Sequence, residues 1–360
     1  MPIKAWLTVT MPSAEQRSLG HQSTLDPRVV GQIARRNVDG AAIDLMAARA
    51  LTFHGLAVET LASTDKDSLD PQASAVLSLD ARAASLRGMA AAMTTASVAK
   101  TFRGDGIRAI FYKGAPLSLQ LTGSLALRGS ADVDVLVDST NLPDVHDSLL
   151  RLGCIRRDGR NDSPGLLLRY RECERSYTGL STTIDLHWRV DSPGYFRRAF
   201  AEVWADRGSV VIGAVPVPTM GSIDALLVTA IHGTRERWSR WRWALDAQRQ
   251  IGALDAGTWQ QAVERAKQVG ALRSLAMALA VAAETDLDRA WMPTPADWLA
   301  STARSWLTAD AHKFGDRPGS ALRRRAGRWY MSDDVVTAVD GTMRAISRQL
   351  LPESRTFSWR

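Results

Sequence analysis

The chain has 360 residues, 45% of them hydrophobic and 23% charged, a composition that excludes a disordered or fibrous protein and suffices for two or three packed units. A formal charge of +7, from 45 Lys and Arg against 38 Asp and Glu, suits a polyanionic partner without identifying one. The densest basic cluster, Arg323-Arg324-Arg325 with Arg328, reads first as a solvated helix face, because a nucleic-acid footprint needs charge gathered in space.

Residues 1–25 show neither helical nor strand periodicity and read as a loosely ordered leader. Threonines and Pro12 interrupt the start before a signal-peptide core develops, so a cytoplasmic location is expected. No run approaches the roughly 20 apolar residues of a membrane helix, and no membrane association is expected. From 26 to 103 the chain is rich in Ala, Leu and Met, and stretches 41–51 and 75–102 place apolar residues three and four apart, predicting a helical N-terminal unit. The pattern changes at Gly104-Asp105-Gly106. Residues 107–112 form a short apolar strand candidate ending at Lys113-Gly114, and 115–121 resume a helical spacing. Segment 132–137, Asp-Val-Asp-Val-Leu-Val, alternates with period two, so Asp132, Asp134 and Leu136 share one face and three valines the other. A second alternating run, 182–190, puts Thr183, Asp185 and His187 together. Cys154 and Cys173 make neither a disulfide framework nor a zinc site and are expected to be reduced. After Pro218 the chain turns helical: Ser222 is placed to cap a helix ending near His232-Gly233, and Trp238, Trp241 and Trp243 begin another, mostly as core. The expected division is 1–25, 26–103, an α/β core at 104–218 and a helical domain at 219–360.

Two acids on one strand face are a weak signal alone, since solvated strand edges often carry them. Here the same face continues into Leu136 and the opposite face is all valine, so the strand reads as buried and its acids are costly unless a cation compensates them. Divalent metals that neutralise charge in phosphoryl transfer take such hard oxygen ligands.

The run Phe111-Tyr112-Lys113-Gly114-Ala115, followed by Arg128-Gly129-Ser130-Ala131-Asp132-Val133-Asp134, resembles the opening of a bacterial nucleotidyltransferase family within the DNA polymerase beta-like superfamily. Ile184-Asp185-Leu186-His187-Trp188 and the later His232-Gly233, Trp238 and Asp246 fit the same family, over about residues 80–250. The resemblance implies an α/β (α+β) nucleotidyltransferase core with a small mixed sheet, flanked by helical regions. It implies transfer of a nucleoside monophosphate from an NTP such as ATP to an acceptor hydroxyl or phosphate. It also implies two Mg²⁺, or Mn²⁺ in their place, on Asp132, Asp134 and Asp185, with Asp185 assisting deprotonation of the acceptor. Lys113, Gly114, Arg128 and His187 are the implied nucleotide contacts, and His232 and Glu236 the candidate acceptor contacts. Gly114 at a helix start has its own physical rationale, since backbone amides and the helix dipole favour an anion there. Ala115 stands where the superfamily usually has Gly or Ser, and Glu236 where the narrower family often has a second His. The acceptor, whether small molecule, peptide, protein or RNA, is not encoded in these motifs. The alternative readings are a non-catalytic nucleotide-binding protein of the same fold and a nucleic-acid-binding protein.

Overall fold

The structure, a computed structural model, describes residues 27–40, 43–157, 173–191, 196–285, 287 and 292–308. The leader at 1–25 and the arginines at 323–325 and 328 lie outside them. The described residues begin with the helices α1 (Pro27–Ala34), α2 (Leu45–Phe53), α3 (Ala57–Ser63) and the 34-residue α4 (Pro71–Gly104). Asp70 starts α4, its carboxylate accepting from the amides of Gln72 and Ala73, and Pro71 occupies the first turn where no amide is missed.

Next come β1 (Ala109–Tyr112), α5 (Gly114–Thr122), β2 (Asp132–Val137), α6 (Leu142–Arg151), β3 (Ile155–Arg156), β4 (Glu174–Thr178) and β5 (Thr183–His187). They are followed by α7 (Phe200–Ala205), β6 (Gly208–Ile212) and β7 (Val215–Thr219), and then by α8 (Ser222–Arg235), α9 (Trp241–Gly252), α10 (Ala256–Val269), α11 (Leu272–Ala283) and α12 (Asp297–Thr308). The strands form one mixed sheet in the order β3-β4-β5-β2-β1-β7-β6, in which β2 runs parallel to β5 and β1 to β7 and the other pairs are antiparallel. This is the expected mixed α/β architecture. Among the described residues no helix is long and apolar enough to cross a membrane.

The period-two alternation of the strands sorts their side chains into two cores. Phe111, Val133, Val135, Val137, Tyr177, Ile184 and Leu186 pack with the second half of α4 and with α6. Ile110, Tyr112 and Leu136, from the other face, join a larger core built from the first half of α4, from α1 to α3 and from α8 to α12. Both cysteines are buried, and among the described residues neither is in a disulfide.

Three local expectations are corrected. Ser222 does not cap α8: Gly221 is the N-cap residue and no side chain caps it. Trp238 does not begin a helix. It sits in the turn before α9 with φ +49°, fully buried, and its indole lies so close to Gly233 that a Cβ there would come within 2.6 Å of the ring. The candidate strands at 107–112 and 182–190 are trimmed to 109–112 and 183–187, because beyond His187 the ladder ends with the Trp188 amide donating to the Cys173 carbonyl at 2.9 Å.

Candidate functional site

Strand register assembles the site. In the parallel β2–β5 pair Asp134 lies directly beside Asp185, Asp132 beside Thr183, and Leu136 beside His187. Directly paired residues share a sheet face, so the two carboxylate strands present their acids together. β4 extends the row, with Ser176 beside Asp185 and Glu174 beside His187, and β1 sets Tyr112 beside Asp134. The Thr182 hydroxyl donates to the Ala131 carbonyl, pinning the entry of β5 to the entry of β2.

The chain leaves β1 through two successive positive-φ residues, Lys113 (φ +57°) and Gly114 (φ +39°). A non-glycine residue held there is a strained position of the kind found where a tight geometry is required. The turn projects the Lys113 ammonium back onto β2, 3.2 Å from Asp134 Oδ1, and starts α5 with no side chain capping it. The first-turn amides of α5 are those of Gly114 and Ala115, since Pro116 has none, and no side chain caps them. A Cβ on Gly114 would stand 3.1 Å from Ser130 Oγ and 3.2 Å from the Asp132 carbonyl, so only glycine lets the two loops approach this closely.

Asp134 is buried, and His187 Nε2 lies 3.0 Å from its Oδ1. Burial opposes its ionisation, but the Lys113 charge and the His187 contact outweigh this and hold the carboxyl well below the ordinary range. Asp185 is biased the other way: burial raises its proton affinity and the Asp134 and Asp132 charges add to that, against a hydrogen bond from Ser176 Oγ at 2.6 Å. His232, half-buried on α8, is pushed well below the ordinary histidine value by burial first and then by the Lys113 and Arg235 charges. Its ring meets the edge of Trp243 at 4.8 Å.

These groups line a cavity of about 410 Å³. Asp132, Asp134, Asp185, Lys113, Gly114, Arg128, His187 and His232 all contribute to its wall. Glu236 does not: at the C-terminus of α8 its carboxylate accepts from Arg235 Nε at 3.0 Å. Ala115 is buried in the core shared with α4 and does not line the cavity. Arg128 lines it with its guanidinium committed elsewhere, to Asp246 of α9, with Nε 2.9 Å from both carboxylate oxygens. Sequence reasoning missed Glu174, Arg235 and Arg242, which also line the cavity. Arg235 is tied to Asp191 at 3.2 Å, whereas among the described residues Arg242 donates to the carbonyls of Arg128 and Gly129, at 3.0 and 3.3 Å. The helical period from Asp246 back through Arg242 was the available signal, since residues four apart share a helix face.

Among the described residues, no group of three or more His, Cys, Asp and Glu side chains is drawn together closely enough to hold a metal ion. The donor chemistry nonetheless fits a hard divalent cation: three carboxylates share one face, and the burial and carboxylate repulsion that together raise Asp185 are what a cation offsets. With Lys113 on Asp134, the positive charge there is supplied by the protein itself.

A mixed-sheet α/β chain with a carboxylate-and-lysine cavity at the start of a helix is the class that fold and site define. The chain belongs to the family described as Uncharacterised nucleotidyltransferase, which matches residues 44–285. No curated protein and no solved structure matches it.

Proposed function

We propose that this protein transfers a nucleoside monophosphate from an NTP to an acceptor hydroxyl or phosphate and releases pyrophosphate, as a metal-dependent member of the DNA polymerase beta-like superfamily. The observation that carries the reading is the direct pairing of Asp134 with Asp185 on the face that opens into the Lys113-Gly114 cavity. Asp132, Asp134 and Asp185 are the residues that would hold Mg²⁺ or Mn²⁺, whose chemistry is to neutralise charge on the transferring phosphoryl group. The α5 amides and Lys113 bind the phosphates, where backbone donors and the helix dipole favour an anion. The acceptor oxygen attacks the α-phosphorus, the bond to the bridging oxygen breaks, and pyrophosphate leaves. Asp185 takes the acceptor's proton. Arg128 acts by holding the 123–131 loop against α9 through Asp246, and a neutral His232 beside Trp243 faces the acceptor side. Because Ala115 points into the core, the missing hydroxyl at that position removes nothing from the cavity wall.

Purified protein incubated with α-labelled ATP, CTP, GTP or UTP, Mg²⁺ or Mn²⁺, and cell extract as the acceptor source tests this. Labelled acceptor and equimolar pyrophosphate are expected, with both lost in Asp134→Asn. Metal-dependent NTP binding with neither product would instead establish a non-catalytic nucleotide-binding protein.

A further inference from the structure

Arg242 lies in the first turn of α9 and lines the candidate cavity, and its surroundings contain a charge imbalance. Its side chain is half-buried: desolvation first, and then the Arg128 charge, disfavour its protonated form, against the Asp246 and Glu59 charges. Yet among the described residues it forms no ion pair. The nearby carboxylate of Asp246 is taken by Arg128, and that of Glu59 by Arg249, at 2.6 Å, while Asp80 on α4 feels the Arg242 charge without forming an ion pair with it. Arg242 Nη1 donates to the Arg128 and Gly129 carbonyls, which fixes the direction of the side chain without neutralising it. A buried guanidinium is costly when unpaired and profitable when an anion reaches it with hydrogen-bonding geometry.

The N-terminal helices hold it there. Gly55, at φ +73° in the turn between α2 and α3, sits so close that a Cβ would come within 3.0 Å of the guanidinium. Arg240, two residues before Arg242, has its guanidinium 3.9 Å from the Phe53 ring centroid and donates to the Phe53 carbonyl. The α2–α3 turn thus forms the wall behind Arg242.

We propose that Arg242, packed against Gly55 and directed by the Arg128 and Gly129 carbonyls, is the residue that binds the polyphosphate of the donor in this cavity. The inference rests on the nucleotidyltransferase reading for the identity of the anion, and on a half-buried guanidinium that lines the cavity without an ion pair for its existence. Arg128, which the motif pattern favours, is the positioning partner of Asp246, and Arg242 carries the free charge.

Isothermal titration of the full chain with inorganic tripolyphosphate, ATP and adenosine, on wild type, Arg242→Gln and Gly55→Ala, tests it. Arg242→Gln is expected to weaken tripolyphosphate and ATP in parallel by about tenfold or more, the loss that one charge-assisted hydrogen bond gives. Its unliganded melting temperature should stay level or rise, because a half-buried charge without an ion pair is gone. Gly55→Ala should weaken both polyphosphate ligands while Arg242 is still present. Tripolyphosphate binding unchanged in Arg242→Gln overturns the proposal. So does a lowered melting temperature with unchanged affinity of the folded fraction, which would make Arg242 only a brace for the 128–129 carbonyls. If Arg242-dependent tripolyphosphate binding is found but no NTP is turned over, the anion site stands and the transferase reading fails. If Arg242→Gln turns NTP over with wild-type kcat and KM, the reverse holds.

Discussion

Asp134 and Asp185 are neighbours across one strand pair but respond to pH in opposite senses. The folded-state value of Asp134 lies below its ordinary 3.8, so its contribution to stability is present at neutral pH and is lost only as pH falls through the depressed value. Asp185 lies above 3.8, so its contribution is full in acid and is lost as pH rises through the raised value. Thermal melts at pH 7 should therefore show Asp185→Asn more stable than wild type and Asp134→Asn less stable. The Asp185→Asn gain should vanish near pH 3, and a gain that persists unchanged there would contradict the assignment of burial and Asp134 repulsion as its cause. Added Mg²⁺ is expected to raise the melting temperature of wild type, an effect that EDTA reverses and Asp134→Asn abolishes. Lys113 competes for the same carboxylate oxygen, so Lys113→Met should increase the Mg²⁺-induced shift while weakening tripolyphosphate binding. In the transfer assay Asp134→Asn is expected to cost roughly a hundredfold or more in rate, the scale on which loss of one organised electrostatic group is felt.

At the scale of elements, the site depends on two joints. The first is the Arg128–Asp246 pair between the loop preceding β2 and helix α9, with side chains only 10% and 2% exposed. Removing one partner leaves a buried charge unmatched, so Asp246→Ala should cost about 3–5 kcal/mol in urea unfolding. The second is Gly233 under Trp238: Gly233→Ala forces the fully buried indole to move and should cost about 1–3 kcal/mol, as overpacking does. β2 and β5 were legible in the sequence because period-two alternation and mutually supporting acids survive without knowledge of neighbours. β4 was not, because its polar positions Glu174, Ser176 and Thr178 alternate with Arg175 and Tyr177, which gives little hydropathic contrast. β7 was masked by Pro216 and Pro218, which argue against a strand in isolation. They are tolerated here because the ladder from β7 to β1 engages only at Thr219. The Lys-Gly turn could be read from residue type. That Arg128 is spent on Asp246, and that Arg242 is not spent at all, depends on distances across more than a hundred residues of chain.

At the scale of the whole molecule, helices from both ends of the described chain share one apolar core, running from Val29 on α1 to Leu307 on α12. The composition shift at 104–106 marks the end of α4, and α4 itself packs its first half into that core and its second half against the sheet. A fragment starting at residue 104 would expose the apolar faces of α8, α9 and α11. It is expected to be recovered only in the insoluble fraction, and limited proteolysis of the intact chain should release no stable 104–218 piece. The same sheet that divides the two cores also writes the site in parity. Displacing β5 by one position against β2 would turn Asp185 into the valine-lined core and Ile184 into the cavity, whereas a displacement by two keeps an acid-bearing face outward. Single-residue insertions that propagate into β5 should therefore be far more damaging than paired ones. An insertion scan of 179–182 scored by Mg²⁺-induced stabilisation would show an odd–even pattern, and the chain can change length there only in steps of two if it is to keep its chemistry.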